Sequence, residues 1–149
     1  MTRRTSWRRK RRDERGSAAI EAAIGVPAFG LFVAMIILGG RVEIAKQSVD
    51  AAAYEAARAA SIERTQSEAI SSGRSAATSS LNSQGLQCAT TNVTVNAAGF
   101  NAPLGTTAQV TATVTCKVDL ADLSIPGLPG TRTITATASS PIDAYRERR

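Results

Sequence analysis

Residues 22–40 read AAIGVPAFGLFVAMIILGG, nineteen consecutive residues without a charged side chain. At a rise of about 1.5 Å per residue, a helix of this length spans roughly 28 Å, close to the ~30 Å hydrocarbon core of a bilayer. The alternative is a buried helix of a soluble protein, but few such helices are this long and apolar on every side. The stretch therefore predicts a transmembrane helix, which we place at residues 17–40.

Two targeting signals are further alternatives for this region. The apolar core is longer than that of a secretory signal peptide, and no small-x-small cleavage site follows it closely. Arg3 and Arg4 suggest a twin-arginine signal, but residues 5–7 after them match that signal poorly. A membrane anchor remains the better interpretation.

The net charge of +6 comes from one end of the chain. Residues 1–16 hold eight of the 18 basic residues but two of the 12 acidic ones, which leaves ten of each in the rest. Because Lys and Arg collect on the cytoplasmic side of a span, this basic leader predicts a cytoplasmic N-terminus and an extracytoplasmic C-terminal part. A basic arm can also bind nucleic acid. Its position beside an apolar span favours membrane topology, and we expect no nucleic-acid partner.

Beyond the span, small apolar residues recur at three- and four-residue steps, which predicts an amphipathic helix. The alanine-rich run at residues 51–60 also favours a helix. We therefore expect one helix from about residue 17 to about residue 80, with an extracytoplasmic continuation at residues 41–84. Pro27 is expected to kink it, because proline removes a backbone donor. The predicted stripe comprises Val42, Ala45, Val49, Ala52, Ala56 and Ala59 or Ala60.

After Gly85 the apolar period changes to two, which is typical of strands. Three segments show this alternation, near residues 93–95, 110–118 and 134–138, and loops rich in Gly and Pro separate them. A small antiparallel sheet with one apolar face needs a cover, and we expect the amphipathic helix to supply it. The prediction is an α+β fold, with a long N-terminal helix on a three-stranded antiparallel sheet. The small β domain is placed at residues 85–141 and a charged tail at residues 142–149.

The two cysteines, Cys88 and Cys116, both follow the apolar span. An extracytoplasmic location permits a disulfide bond between them, which would join the helix exit to the sheet. Closing a loop of about 29 residues would contribute roughly 3–4 kcal/mol in the chain-entropy model. Two buried free thiols are the alternative.

Catalytic and metal sites have little support in this composition. The chain has no histidine, so it lacks the commonest general base and the commonest metal ligand. Asp119 and Asp122 flank a loop, where two carboxylates are too few for a calcium site and solvated turn residues are the simpler interpretation. We expect neither an enzyme, nor a metal site, nor a cofactor.

Glu21 stands at the mouth of the apolar span. A carboxylate at the bilayer centre costs about 2.5–3.5 kcal/mol and less near the interface. Glu21 could simply lie at the headgroup level, where a helix N-terminus favours negative charge. That interpretation leaves unexplained why Gly16 lies five residues before the acid, directly after the basic leader.

Residues 16–21, GSAAIE, lie between a basic leader and an apolar helix, and this arrangement resembles the processing site of type IV pilins and pseudopilins. The resemblance implies cleavage after Gly16 by a membrane-embedded prepilin peptidase, so that Ser17 becomes the new N-terminus. It also implies that Glu21 pairs with the terminal ammonium of a subunit during assembly, in lipid that screens charge little. The fold implied is pilin-like.

Over residues 15–61 the chain is similar to the TadE-like (TadE/TadG) family of Flp/Tad pilus assembly. That family shares the Arg-Gly opening, the acid, a proline in the span and an alanine-rich continuation. The residues that fall on this pattern are Gly16, Glu21, Pro27, Val49, Asp50, Ala53, Ala56, Ala57, Arg58 and Ala59.

The resemblance implies a minor pilin or pseudopilin of the inner membrane, which either enters the pilus and reaches the cell surface or stays in the membrane. Without residues 1–16 the chain keeps 133 residues, too long for the small major pilin of this class. Its implied partners are the membrane, a prepilin peptidase, other pilin or pseudopilin subunits and the Tad assembly platform. The alternative is an uncleaved, signal-anchored single-pass protein with an extracytoplasmic binding domain.

Overall fold

The computed structural model describes the backbone of residues 7–119 and 130–145, and the side chains of residues 18–119 and 130–145. Three strands form one antiparallel sheet in the order β1-β2-β3, and the long N-terminal helix packs on it, which confirms the predicted α+β class. The elements are α1 (Trp7–Ser61), α2 (Gln66–Ser83), β1 (Cys88–Asn96), a 3₁₀ turn (Ala98–Asn101), β2 (Ala108–Asp119) and β3 (Thr131–Ile142).

The chain divides into two compact units, Met1–Gly40 and Arg41–Arg149. The first unit holds the N-terminal part of α1. The second holds the rest of α1, α2 and the sheet, and it contains the hydrophobic core.

The prediction of a single helix from residue 17 to residue 80 is wrong at both ends. α1 begins at Trp7, inside the basic leader, and ends at Ser61. α2 then starts after residues 62–65 with its own cap. The Thr65 hydroxyl accepts a hydrogen bond from the Glu68 backbone N–H (3.2 Å) and donates one to Glu68 Oε2 (2.9 Å). Threonine followed three residues later by glutamate is a helix-start signal, and the periodicity of the alanine stripe concealed it.

The C-terminal end of α2 is closed by a glycine, Gly85, as is common for helices. Gly85 adopts a left-handed conformation (φ 68°), which costs little without a side chain. This conformation lets the Leu86 backbone N–H donate to the Leu81 carbonyl oxygen at 3.1 Å. The chain then turns directly into β1.

The predicted alanine stripe of α1 is the helix face that enters the core. Val42 is half-buried, and of the two alternatives Ala59 and Ala60, only Ala60 is fully buried. Small side chains on this face leave room for close packing. The buried members of the predicted stripe are Ala45, Val49, Ala52, Ala56 and Ala60.

The sheet has one buried apolar face and one polar face, as the period of two predicted. The whole predicted apolar set of β2, from Val110 to Val118 at every second residue, is buried. On the opposite face, hydroxyl pairs bridge β2 and β3. Their oxygen–oxygen distances are 2.9 Å for Thr111–Ser139, 3.0 Å for Thr113–Thr137 and 3.2 Å for Thr115–Thr135.

The two loops predicted between the strands differ in what the structure describes. In the first, the 3₁₀ turn buries Phe100 against the core, and Gly99 fits there because a Cβ would stand 2.5 Å from the Gln109 carbonyl oxygen. The second loop, residues 120–129 with Asp122, lies outside the described residues. Asp119 ends β2.

Candidate functional site

The residues of the predicted processing site share one stretch of helix. Gly16 and Ser17 lie within α1, and Glu21 follows Ser17 by four residues. Residues four apart lie on the same side of a helix, one turn along. The backbone therefore brings position 17 and Glu21 to one face, which the sequence spacing alone could only suggest.

Glu21 is exposed, and no ion pair joins it to another described side chain. Among the described side chains, the first base after it is Arg41. Twenty residues of helix separate the two, about 30 Å along the axis, so Arg41 cannot neutralise Glu21 within one molecule. Beyond residue 40, by contrast, Lys46 Nζ lies 3.2 Å from Glu43 Oε2.

The helix after Glu21 is long and apolar enough to cross a membrane, and it is the one helix of the described residues that meets this test. Most of its large side chains are exposed, among them Phe29 (67%), Phe32 (61%) and Ile36 (59%). Within the part of the chain that the structure describes, no segment buries this apolar window. Water would penalise so much apolar surface, whereas hydrocarbon would not.

The glycines of this unit create flat positions on the helix surface. A Cβ added to Gly25, Gly30, Gly39 or Gly40 would meet no atom of the described chain within 4 Å. Packing among the described residues therefore does not require these glycines. Small residues of this kind let another helix approach closely in a membrane. α1 remains helical through Pro27, and the predicted kink there stays a prediction.

The structure joins Cys88 and Cys116 in a disulfide bond, with their Cα atoms 5.4 Å apart. Cys88 is the first residue of β1 and lies opposite Val118, whereas Cys116 of β2 lies opposite Thr91. The bond therefore links the neighbouring strands β1 and β2 diagonally. It does not connect the sheet to the end of the helix, as the sequence had led us to expect. It lies just after the exit from α2, since four residues separate Ser83 from Cys88.

The described residues contain no group of three or more His, Cys, Asp or Glu side chains placed to hold a metal ion. Sequence reasoning missed one surface feature, a groove between the end of α2 and the start of β1 that includes Cys88. The break at residues 62–65 creates α2 as a separate helix, and a prediction of one continuous helix could not place its end beside β1.

A membrane-capable N-terminal helix followed by a small α+β unit fits the class of single-pass membrane proteins that carry one compact domain. Within that class the comparison with protein families is specific. Residues 16–58 match the family model described as TadE-like protein, which confirms the predicted resemblance over this segment. No curated protein and no solved structure matches the chain.

Proposed function

We propose that this chain is a minor pilin or pseudopilin for assembly of a Tad (Flp)-type pilus, processed after Gly16 by a prepilin peptidase. The observation that carries the proposal is that a single segment combines three features. It matches the TadE-like model from residue 16 onwards, it places exposed Glu21 one turn after Ser17, and it continues as an uncovered apolar helix.

Processing at this site requires access to the peptide bond between Gly16 and Ser17. Because α1 begins at Trp7, that bond lies in helical backbone, and a peptidase must unwind the helix locally to reach it. Gly16 lowers the cost, since glycine is about 1 kcal/mol less favourable in a helix than alanine. Glycine is therefore suited to the last position of the leader, because it makes local unwinding of the helix less costly.

Cleavage leaves an ammonium group on Ser17 at the edge of the apolar helix. An ammonium and a carboxylate are each costly in hydrocarbon when alone, and each becomes less costly when the two pair. Glu21 is the acid that precedes the uncharged stretch, and Arg41 lies too far away to compete for it. Pairing between Glu21 of one subunit and the Ser17 ammonium of a neighbour would offset the two helices by about 6 Å, four residues of rise.

The proposed topology follows from charge and from the disulfide bond. The basic leader stays in the cytoplasm, residues 17–40 span the inner membrane once, and Arg41–Arg149 lies outside, where a disulfide bond is stable. The partners in this proposal are the membrane, the prepilin peptidase, other pilin or pseudopilin subunits and the Tad assembly platform. The role is structural and not enzymatic.

The test is the intact mass of the chain isolated from membranes, with and without a co-expressed prepilin peptidase. We expect a species that begins at Ser17 only when the peptidase is present. Gly16→Leu should block this processing, while Gly25→Leu, a matched change where a Cβ meets nothing, should leave it unchanged. A full-length chain in the presence of active peptidase would contradict the proposal.

The second candidate function is an uncleaved, signal-anchored membrane protein with an extracytoplasmic binding domain. The apolar helix and the compact second unit support it as well, since neither feature depends on cleavage. It predicts a full-length mass under all conditions and no effect of Gly16→Leu.

A further inference from the structure

A groove opens beside the disulfide bond, between the C-terminal end of α2 and the start of β1. α2 contributes Thr78, Leu81 and Asn82, and the segment that follows it contributes Leu86, Gln87 and Cys88. The groove measures about 350 Å³, within the range that holds small ligands. Both its walls and its floor belong to the second compact unit.

The two cysteines of the disulfide bond differ in burial. Cys116 is fully buried on the core face of β2, with Val114 and Val118 buried on either side along the strand. Cys88 is partly exposed and lines the groove. Thiol–disulfide exchange depends on which sulfur an incoming thiolate can reach. A reagent in the groove reaches Cys88 without opening the core, whereas Cys116 becomes accessible only when the core opens.

The surroundings of Cys88 suit a peptide. Asn82 and Gln87 offer side-chain amides, which can donate to and accept from a peptide backbone. Leu81 and Leu86 provide apolar contact beside them. Thr91 of β1 completes the lining, and none of the seven lining residues is charged, so the groove offers a peptide hydrogen bonds and apolar contact but no ion pair.

We propose that Cys88 is the entry sulfur for thiol–disulfide exchange and that this groove seats the peptide that carries the incoming sulfur. In the reduced, folded chain the Cys88 thiolate attacks one sulfur of a peptide disulfide. A mixed disulfide forms on Cys88, and the other peptide sulfur leaves as a thiolate. The Cys116 thiolate then attacks Cys88 Sγ, which closes the Cys88–Cys116 bond and releases the second peptide thiolate.

This exchange is balanced in electrons and protons. The Cys88–Cys116 dithiol loses two electrons and two protons, and the peptide disulfide gains both and becomes a dithiol. Reduction of the finished bond by a peptide thiol runs through the same mixed disulfide on Cys88. The proposal does not depend on pilus assembly, since it rests only on the groove and on the burial of the two sulfurs.

The test uses the oxidised full-length chain in detergent, with reduced glutathione as the peptide thiol. After brief exposure and acid quenching, peptide mapping locates the glutathione adduct. We expect the adduct on Cys88 in at least roughly tenfold excess over Cys116, because exchange follows access. Equal adducts on the two residues, or an excess on Cys116, would overturn the proposal.

Single-cysteine variants test the same asymmetry with oxidised glutathione. Folded Cys116→Ser should become glutathionylated at Cys88 in native buffer, whereas Cys88→Ser should react at Cys116 only in denaturant. If either variant does not fold, the map of the wild-type adduct decides the outcome.

A pair of tryptophan variants tests the groove. Asn82→Trp should fill it and slow glutathionylation of Cys88 severalfold. Ser79→Trp adds the same bulk at an exposed position of α2 that does not line the groove, and it should have no effect. Equal rates for the two variants would show that the groove does not seat the peptide.

Discussion

Gly73 of α2 lies so close to Ala56 of α1 that a Cβ on the glycine would stand 3.0 Å from the Ala56 carbonyl oxygen. The same Cβ would lie 3.0 Å from Cγ2 of Val95 in β1 and 3.3 Å from Cβ of Ala60. Gly73 is therefore a point at which α2 meets both α1 and the sheet. The alanine stripe of α1 makes this approach possible, since larger side chains would hold the helices apart.

A larger residue at this contact should destabilise the second unit. We expect Gly73→Val to lower the free energy of unfolding by about 1–3 kcal/mol, the usual cost of overpacking a close contact. The measurement is denaturant unfolding of the full chain in detergent, followed by circular dichroism. Ser75→Val is the matched control, because Ser75 is exposed on the same helix, and it should change stability little. Equal effects of the two substitutions would contradict the packing argument.

The N-cap of α2, Thr65, should contribute measurably to the free energy of unfolding. Thr65→Ala removes the oxygen that accepts the Glu68 backbone N–H, and we expect a loss of about 1 kcal/mol. Thr65→Ser keeps the hydroxyl and should retain most of the stability. Both are measured by the same unfolding experiment. A loss as large with serine as with alanine would mean that the methyl group, and not the cap, carries the effect.

The disulfide bond should stabilise the folded second unit because it restricts the conformations of the unfolded chain. The bond closes a loop between residues 28 apart in sequence, and the chain-entropy model gives about 3–4 kcal/mol for its removal. We expect the double variant Cys88→Ser, Cys116→Ser to lose about this amount in denaturant unfolding. Wild-type protein in a reducing agent is the comparison, and it should unfold near the same denaturant concentration. A double variant as stable as the oxidised chain would show that the bond does not constrain the unfolded state.

Glu21 should affect assembly and not membrane insertion or cleavage. We expect Glu21→Gln to be inserted and processed, and to co-purify with the other pilin subunits roughly tenfold less, which corresponds to about 1.4 kcal/mol of lost pairing. Glu43→Gln is the matched control: it removes a carboxylate whose ion pair with Lys46 is exposed, and it should leave co-purification unchanged. Normal co-purification of Glu21→Gln would exclude the proposed pairing, whatever the outcome at Gly16.

The elements that could be predicted are those in which the spacing of apolar residues along the chain indicates which side chains are buried. β2 alternates apolar and polar residues without interruption from Val110 to Val118, and a strand with one buried face is the simplest structure that such a period allows. The same holds for the alanine stripe of α1, and the uncharged span is likewise a local pattern, although the described residues do not bury it. The break between α1 and α2 was missed, because the stripe suits a helix on both sides of it and only the Thr65–Glu68 pair marks the interruption.

The sequence by itself determined the membrane-capable helix, the positions of the three strands and the spacing from Gly16 to Glu21, because each depends on residues near one another in the chain. Only the tertiary structure decided that Ala60 and not Ala59 enters the core, that Gly73 is a contact point, and that Cys88 is accessible while Cys116 is buried. These outcomes depend on which atoms from distant segments meet. Side-chain volume and strand register determine these contacts when distant segments pack together, and no local periodicity encodes them.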